Sequence, residues 1–123
     1  MLNAINKKKI LIADDDPAIL DSLRLILEVD GYEVTTVDRG EEIVKVVESK
    51  PDLLLLDIWM AGQDGRELCR KLKSDKRTAS IPIILFSAGR EMADSAKAAG
   101  ANDFVEKPFE IETLLEKIQK LTS

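Results

Sequence analysis

Short apolar runs alternate with helical stripes along the whole chain. The most uniform is Leu53-Leu54-Leu55-Leu56, which stops at Asp57. Four leucines in succession are too few to cross a membrane and leave no wet face. The run therefore predicts a strand covered on both sides, as inside a parallel sheet. Ile10-Leu11-Ile12-Ala13, the β-branched Glu33–Val37, Ile83-Ile84-Leu85-Phe86 after Ser80-Ile81-Pro82, and Asp103-Phe104-Val105-Glu106 predict four more strands.

Between these runs the spacing turns helical. Asp16 followed by Pro17 is an N-cap with proline at the first helical position. Ile19, Leu20, Leu23, Ile26 and Leu27 then mark one face, up to Gly31. A second helix is expected from about Gly40 to Ser49, with Ile43, Val44, Val46 and Val47 inward, before Pro51. After the glycine-containing loop Ile58–Gly65, a third turns Leu68, Cys69 and Leu72 inward. An alanine-rich helix should run from Arg90 to Ala99, and the last carries Ile111, Leu114, Leu115, Ile118 and Leu121 on one stripe. Five strand–helix units with short connections predict an α/β fold: a doubly wound parallel sheet, helices on both faces, right-handed crossovers.

Composition narrows the function classes. At 123 residues the chain is expected to be a single domain over 1–123 that buries about two-thirds of its unfolded surface. Its 45% apolar and 33% charged residues are an ordinary globular balance, and a net charge of −5 argues against direct nucleic-acid binding. A lone Cys69 on a helical inward face reads as a structural thiol and points to a reducing cytoplasm. Lys7-Lys8-Lys9 leads only into a strand-length segment, so neither a signal peptide nor a membrane anchor is expected. With no histidine, the chain has no imidazole for acid–base work, metal binding or carrying phosphate.

The chemistry lies at strand ends. Asp14 and Asp15 follow the first strand, Asp57 the third, Ser87 the fourth and Lys107 the fifth. In an open parallel sheet these ends share one edge, where ligands bind. Each residue has a plain reading (capping acid, solvated strand end, turn residue, surface charge), but their joint placement at successive ends does not. Carboxylates about 4 Å apart repel by roughly 1 kcal/mol in water and about 4 kcal/mol at an effective dielectric near 20. One lysine cannot offset three of them, whereas a hard cation such as Mg2+ can. Asp57 beside Mg2+, a lysine and a hydroxyl would be a nucleophile toward phosphorus, forming an acyl phosphate.

This order of motifs, Ile-Leu-Ile-Ala-Asp-Asp-Asp-Pro, Leu-Leu-Leu-Leu-Asp-Ile-Trp-Met, Ile-Pro-Ile-Ile-Leu-Phe-Ser-Ala and Ala-Gly-Ala-Asn-Asp-Phe-Val-Glu-Lys-Pro-Phe, resembles the CheY-like receiver domain of bacterial response regulators, from Lys9 to Leu121. The resemblance implies a flavodoxin-like (βα)5 sheet of order 2-1-3-4-5. It implies a two-component switch rather than an enzyme acting on a substrate, catalysing its own phosphoryl transfer and slow autodephosphorylation. Asp57 would be the phosphoacceptor, supplied by a histidine kinase or phosphotransfer protein. Asp15, Asp57 and the Trp59 backbone carbonyl would hold Mg2+, with Asp14 acting through water. Ser87 and Lys107 would bind phosphoryl oxygens, a cis Lys107–Pro108 bond would aim the lysine inward, and Phe104 would be the aromatic switch. A downstream protein would read the helix 90–99, the strand 103–106 and the last helix, with the receiver a monomer or a phosphorylation-dependent dimer.

Two positions depart from that pattern. Ala61 stands where the family usually has proline, and Trp59 is bulkier than is usual there: either its ring covers the acyl phosphate against water, or it is a partly exposed loop tryptophan. A haloacid-dehalogenase-type phosphatase would want an acid at position 59, and no P-loop motif occurs. The competing reading from another class is a receiver-like module that binds a partner without being phosphorylated. The chain ends at Ser123 without room for an output domain, as would either a stand-alone regulator or a receiver cut from a longer protein.

Overall fold

The computed structural model describes residues 7–60, 62–88 and 93–123. Five parallel strands, β1 (Lys9–Ala13), β2 (Glu33–Val37), β3 (Leu53–Asp57), β4 (Ile83–Ser87) and β5 (Asp103–Glu106), form a sheet of order β2-β1-β3-β4-β5. Helices α1 (Pro17–Val29), α2 (Gly40–Val46, extended by a 3-10 turn Val47–Ser49), α3 (Gly65–Ser74), α4 (Ala93–Ala98) and α5 (Ile111–Thr122) join them. The flavodoxin-like expectation holds in element order and in sheet order.

The leucine run explains itself once its alternation is followed. Leu54 and Leu56 join Leu11, Ile83 and Leu85 under Ile43, Val47, Leu68, Cys69, Leu72 and Ala96, on the face covered by α2, α3 and α4. Leu53 and Leu55 point the other way, with Ile10, Ile12, Ile84 and Phe86 against Leu20, Leu23, Leu27, Leu114 and Ile118 of α1 and α5. All five β3 residues are buried, Asp57 included. A central strand held on both faces cannot slip by one residue without exchanging its two sets of leucines, so the position of Asp57 is set by packing.

The Asp16 cap is present, its side chain accepting from the Ala18 N–H at 3.0 Å. At the other end of α1, Gly31 takes φ 99°, while the Asp30 and Tyr32 N–H groups close onto the Ile26 and Leu27 carbonyls. Cys69 is buried as expected, and burial pushes its thiol pKa up, which keeps it protonated and inert.

Three expectations need correction. The second helix is α-helical only to Val46, and Val44, expected inward, is 53% exposed. In so short a helix Ile43 and Val47, four residues apart, take the sheet-facing side, and Val44 lies about 100° round from Ile43. Ile19 and Ile26 flank the buried stripe of α1 and are only half covered. The loop after Asp57 contains a small antiparallel ribbon, Trp59–Met60 paired with Gln63–Asp64, with Gly62 at φ 71° in its turn. The expected helix start at Arg90, the residue Gly89 and the departure at Ala61 lie outside the described residues. Among the described residues no helix is long and apolar enough to cross a membrane.

Gly65 closes this loop onto β3. Its N–H donates to the Ile58 carbonyl at 2.7 Å, and a Cβ there would strike the backbone carbonyl of Asp57 and the Ile58 Cα. Neither backbone atom can turn aside as a side chain would. Gly65→Ala is therefore expected to destabilise the fold by about 1–3 kcal/mol, read as a lower urea midpoint with an unchanged m-value.

Candidate functional site

Asp14 is drawn into the sheet edge by its own backbone, whose N–H donates to the Val37 carbonyl at 3.2 Å. It is 1% exposed. Its Oδ1 accepts from the Asp16 N–H at 2.9 Å and its Oδ2 from Lys107 Nζ at 3.0 Å. The same ammonium lies 3.5 Å from Oδ1 of Asp57. Lys107 is anchored through its backbone, whose N–H donates to the Ser87 carbonyl at 2.8 Å, and its side chain crosses the Phe86 ring with Nζ 4.5 Å from the centroid. Phe109 meets that ring edge-on at 6.2 Å. The Lys107–Pro108 bond is cis, as expected.

Carboxylate oxygens of Asp14, Asp15 and Asp57 lie within 4.8 Å of one another. Asp14 and Asp57 are buried and Asp15 is exposed, so the group opens to solvent on one side. Burial is the main reason that the Asp57 pKa is raised to about 6, and the neighbouring Asp14 adds to it. Lys107 and the backbone N–H of Trp59 pull it back down. One ammonium thus leaves three carboxylates under-compensated, and the donor set is all hard oxygen. This is an aspartate cluster of the kind that holds Mg2+.

Ser87 ends β4, buried, in register with Glu106 beside Lys107. Asp14, Asp15, Asp57, Ser87 and Lys107 therefore share one sheet edge. Phe104 stands apart from the acids: it pairs in register with Leu85 and packs, half-buried, on the α2–α4 side of the sheet. It borders a cavity of about 370 Å³ lined by Ala93, Ala96 and Lys97 of α4. Trp59 is 52% exposed, with the Arg66 guanidinium 4.9 Å from the centre of its ring.

Sequence reasoning missed Arg66 and its partner Asp64. Asp64 caps α3, accepting from the Arg66 N–H at 2.9 Å, and forms a bidentate ion pair with the Arg66 guanidinium at 3.0 and 2.7 Å. That pairing holds the Asp64 carboxyl below its usual range. The spacing Asp64-Gly65-Arg66 was a legible capping signal. The guanidinium's further bond to Ser95 in α4, at 3.2 Å, had no sequence signal.

Residues 10–119 match the model of the response regulator receiver domain. The chain belongs to that family. Among curated proteins, the receiver is 38% identical over 116 residues to the DNA-binding dual master transcriptional regulator RpaA of Synechocystis, covering 92% of this chain and 48% of that protein. The chain spans about half the length of the curated relatives it matches. Among solved structures it resembles the signal receiver domain of a signal transduction histidine kinase from Syntrophus aciditrophicus, with a TM-score of 0.86, 33% identity and coverage of 94% and 89%. The receiver domain of the sensor histidine kinase PA1611 from Pseudomonas aeruginosa, solved with magnesium coordinated in its active-site cleft, gives 0.85, 27%, 94% and 98%. The receiver thus has relatives both in transcriptional regulators and within kinases of two-component signalling.

The raised Asp57 pKa makes a signed prediction. A group with its folded pKa above its unfolded value stabilises fully only below the unfolded value of 3.8, and that stability is lost as pH rises through about 6. Removing the charge should therefore help. With divalent metal chelated at pH 7.5, Asp57→Asn is expected to raise stability by about 1–2 kcal/mol, after discounting for solvent at the open edge. Urea melts across pH should show the gain shrinking below about pH 6 and gone near pH 3.8.

Proposed function

We propose that the receiver is a phosphorylation-operated switch in which Asp57 takes a phosphoryl group from the histidine of a kinase or phosphotransfer protein. The observation that carries this reading is the Lys107 ammonium set between Asp14, at 3.0 Å, and Asp57, at 3.5 Å, at the carboxyl edge of the sheet. A buried carboxylate, a cation and a buried hydroxyl at one edge are the groups that in-line phosphoryl transfer needs.

Asp15, Asp57 and the Trp59 backbone carbonyl would hold Mg2+, with Asp14 reaching it through water. The carboxylate oxygens gathered within 4.8 Å fit that role, and PA1611 is a relative with magnesium in its cleft. Mg2+ bound there would neutralise charge on the equatorial phosphoryl oxygens. An Asp57 Oδ attacks phosphorus in line, the bond from phosphorus to the donor imidazole nitrogen breaks, and its electron pair stays on that nitrogen. Lys107 turns from the carboxylates to one phosphoryl oxygen, and the Ser87 hydroxyl donates to another. Slow attack by water on phosphorus returns Asp57 to a carboxylate.

The adduct adds about −1.5 to −2 charges at neutral pH. Drawing Ser87 and Lys107 toward it shifts the ends of β4 and β5, and Phe104 on β5 turns inward. The readout surface is then α4, β5 and α5, which a downstream protein would recognise in the cytoplasm, either on a monomer or on a phosphorylation-dependent dimer.

Intact mass after incubation with Mg2+ and a small acyl phosphate tests this. One phosphate adduct is expected on the wild type and none on Asp57→Ala, with a saturating Trp59 fluorescence response to Mg2+ beforehand. No adduct and no metal response would mean a module that binds its partner without phosphorylation. An adduct surviving in Asp57→Ala would move the acceptor to another carboxylate. If the Trp59 ring shields the adduct, Trp59→Asn shortens the adduct's lifetime several-fold, and an unchanged decay would remove that role.

A further inference from the structure

We infer that Arg66 is a positioning residue that ties the phosphoacceptor loop to α4, so that the state of one biases the other. The inference rests on the reading of Asp57 as phosphoacceptor, and it concerns a side chain outside the strand-end constellation.

Among the described residues the guanidinium engages Trp59, Asp64 and Ser95 at once. Its face lies 4.9 Å over the Trp59 ring, a distance at which a cation is attracted to an indole. Its Nε and Nη2 donate to the two oxygens of Asp64 at 3.0 and 2.7 Å. Its Nη1 donates to Ser95 Oγ at 3.2 Å. Trp59 and Asp64 are directly opposed in the ribbon register, so Arg66 clamps the two ribbon strands from one side. Trp59 stands two residues past Asp57, so the ribbon is the direct continuation of the strand that carries the acceptor. The route is short: Asp57, the backbone to Trp59, the Trp59 ring, Arg66, Ser95.

These contacts are held well enough to transmit a change. The Arg66 and Asp64 side chains are 21% and 26% exposed, so their ion pair is sheltered from full solvent screening. A bidentate fork fixes the guanidinium plane, which a lysine ammonium could not do. An exposed tryptophan would otherwise sample several rotamers. Charge added to Asp57 displaces the ribbon that begins two residues on, shifts the ring under Arg66 and loads the bond to Ser95. Coupling of this kind is reciprocal: a change at Ser95 must return to Asp57 by the same route.

The test is a double-mutant cycle on the phosphoryl lifetime. Wild type, Arg66→Ala, Ser95→Ala and the double variant are loaded with a small acyl phosphate and Mg2+, and decay is followed by intact mass. Arg66→Ala is expected to shorten the lifetime roughly 2- to 30-fold, the range for coupling through packed side chains, and Ser95→Ala by less. Arg66→Lys, which keeps the charge and loses the fork, should recover only part of the loss. The double variant should decay like Arg66→Ala alone. An equal effect of Ser95→Ala in both backgrounds, or a wild-type lifetime in Arg66→Ala, overturns the tie. Trp59 emission supplies a readout that needs no phosphate: Ser95→Ala should change it when Arg66 is present and leave it unchanged when Arg66 is absent. Should no adduct form on the wild type, the phosphoacceptor reading fails while the emission cycle still decides the tie. Should Arg66→Ala not fold, no Trp59 emission change in Ser95→Ala alone overturns it.

Discussion

A single ammonium shared by two buried carboxylates is the interaction on which the edge of this sheet depends. Asp14 and Asp57 are each within reach of Lys107 Nζ, at 3.0 and 3.5 Å, and neither acid has bulk water around it. Without the lysine, two like charges would face each other at low effective dielectric, a repulsion of about 4 kcal/mol at 4 Å separation. With it, the cluster stands but stays short of positive charge, since Asp15 completes a set of three acids. Burial first, and the neighbouring Asp14 second, raise the Asp57 pKa to about 6. The edge is therefore prepared for a cation before any arrives, at an acid that ends a strand buried throughout.

That deficit is maintained by packing at a distance. Alternate leucines of β3 enter the two cores, so moving Asp57 outward would pull Leu55 and Leu56 from opposite faces of the sheet. Asp14 is fixed twice, by its backbone bond to Val37 and by the Asp16 N–H on its carboxylate. Lys107 is fixed by its backbone bond to Ser87 and by its passage over Phe86. None of the three charged groups can relax away from the others without breaking a sheet contact. A site whose charges are held apart from equilibrium by a core costs stability, and the 17 and 12 buried apolar residues of the two clusters offset that cost.

How much of this was legible follows from which physics writes the sequence. Strand burial and parallel topology impose runs and strand ends, so Asp14, Asp57, Ser87 and Lys107 could be placed on one edge from the linear chain alone. Helical faces were legible where the helix is long, as for Leu20, Leu23 and Leu27. They failed at Val44, where seven α-helical residues show too little of a period to choose between adjacent valines. The ribbon after Asp57 was read as loop because two-residue strands have no hydropathy signature. The bond from Arg66 to Ser95 was invisible for a different reason: it spans 29 positions and depends on the reach and orientation of one long side chain.

The ribbon after Asp57 is held on both flanks. On the α2 side the Gln63 amide lies in the space that a Cβ on Gly40 would need, so side chain and buried backbone are in close contact. On the α4 side the Arg66 guanidinium donates to a half-buried serine at 3.2 Å. A hydrogen bond from a charged donor is worth about 1.5–3 kcal/mol net. A doubly charged group arriving beside the Trp59 N–H carries interactions of the same size at an effective dielectric near 20. The ribbon after Asp57 thus meets packed backbone on its α2 flank and is joined to α4 through a charged hydrogen bond, whose energy is of the size that a new charge at Asp57 carries.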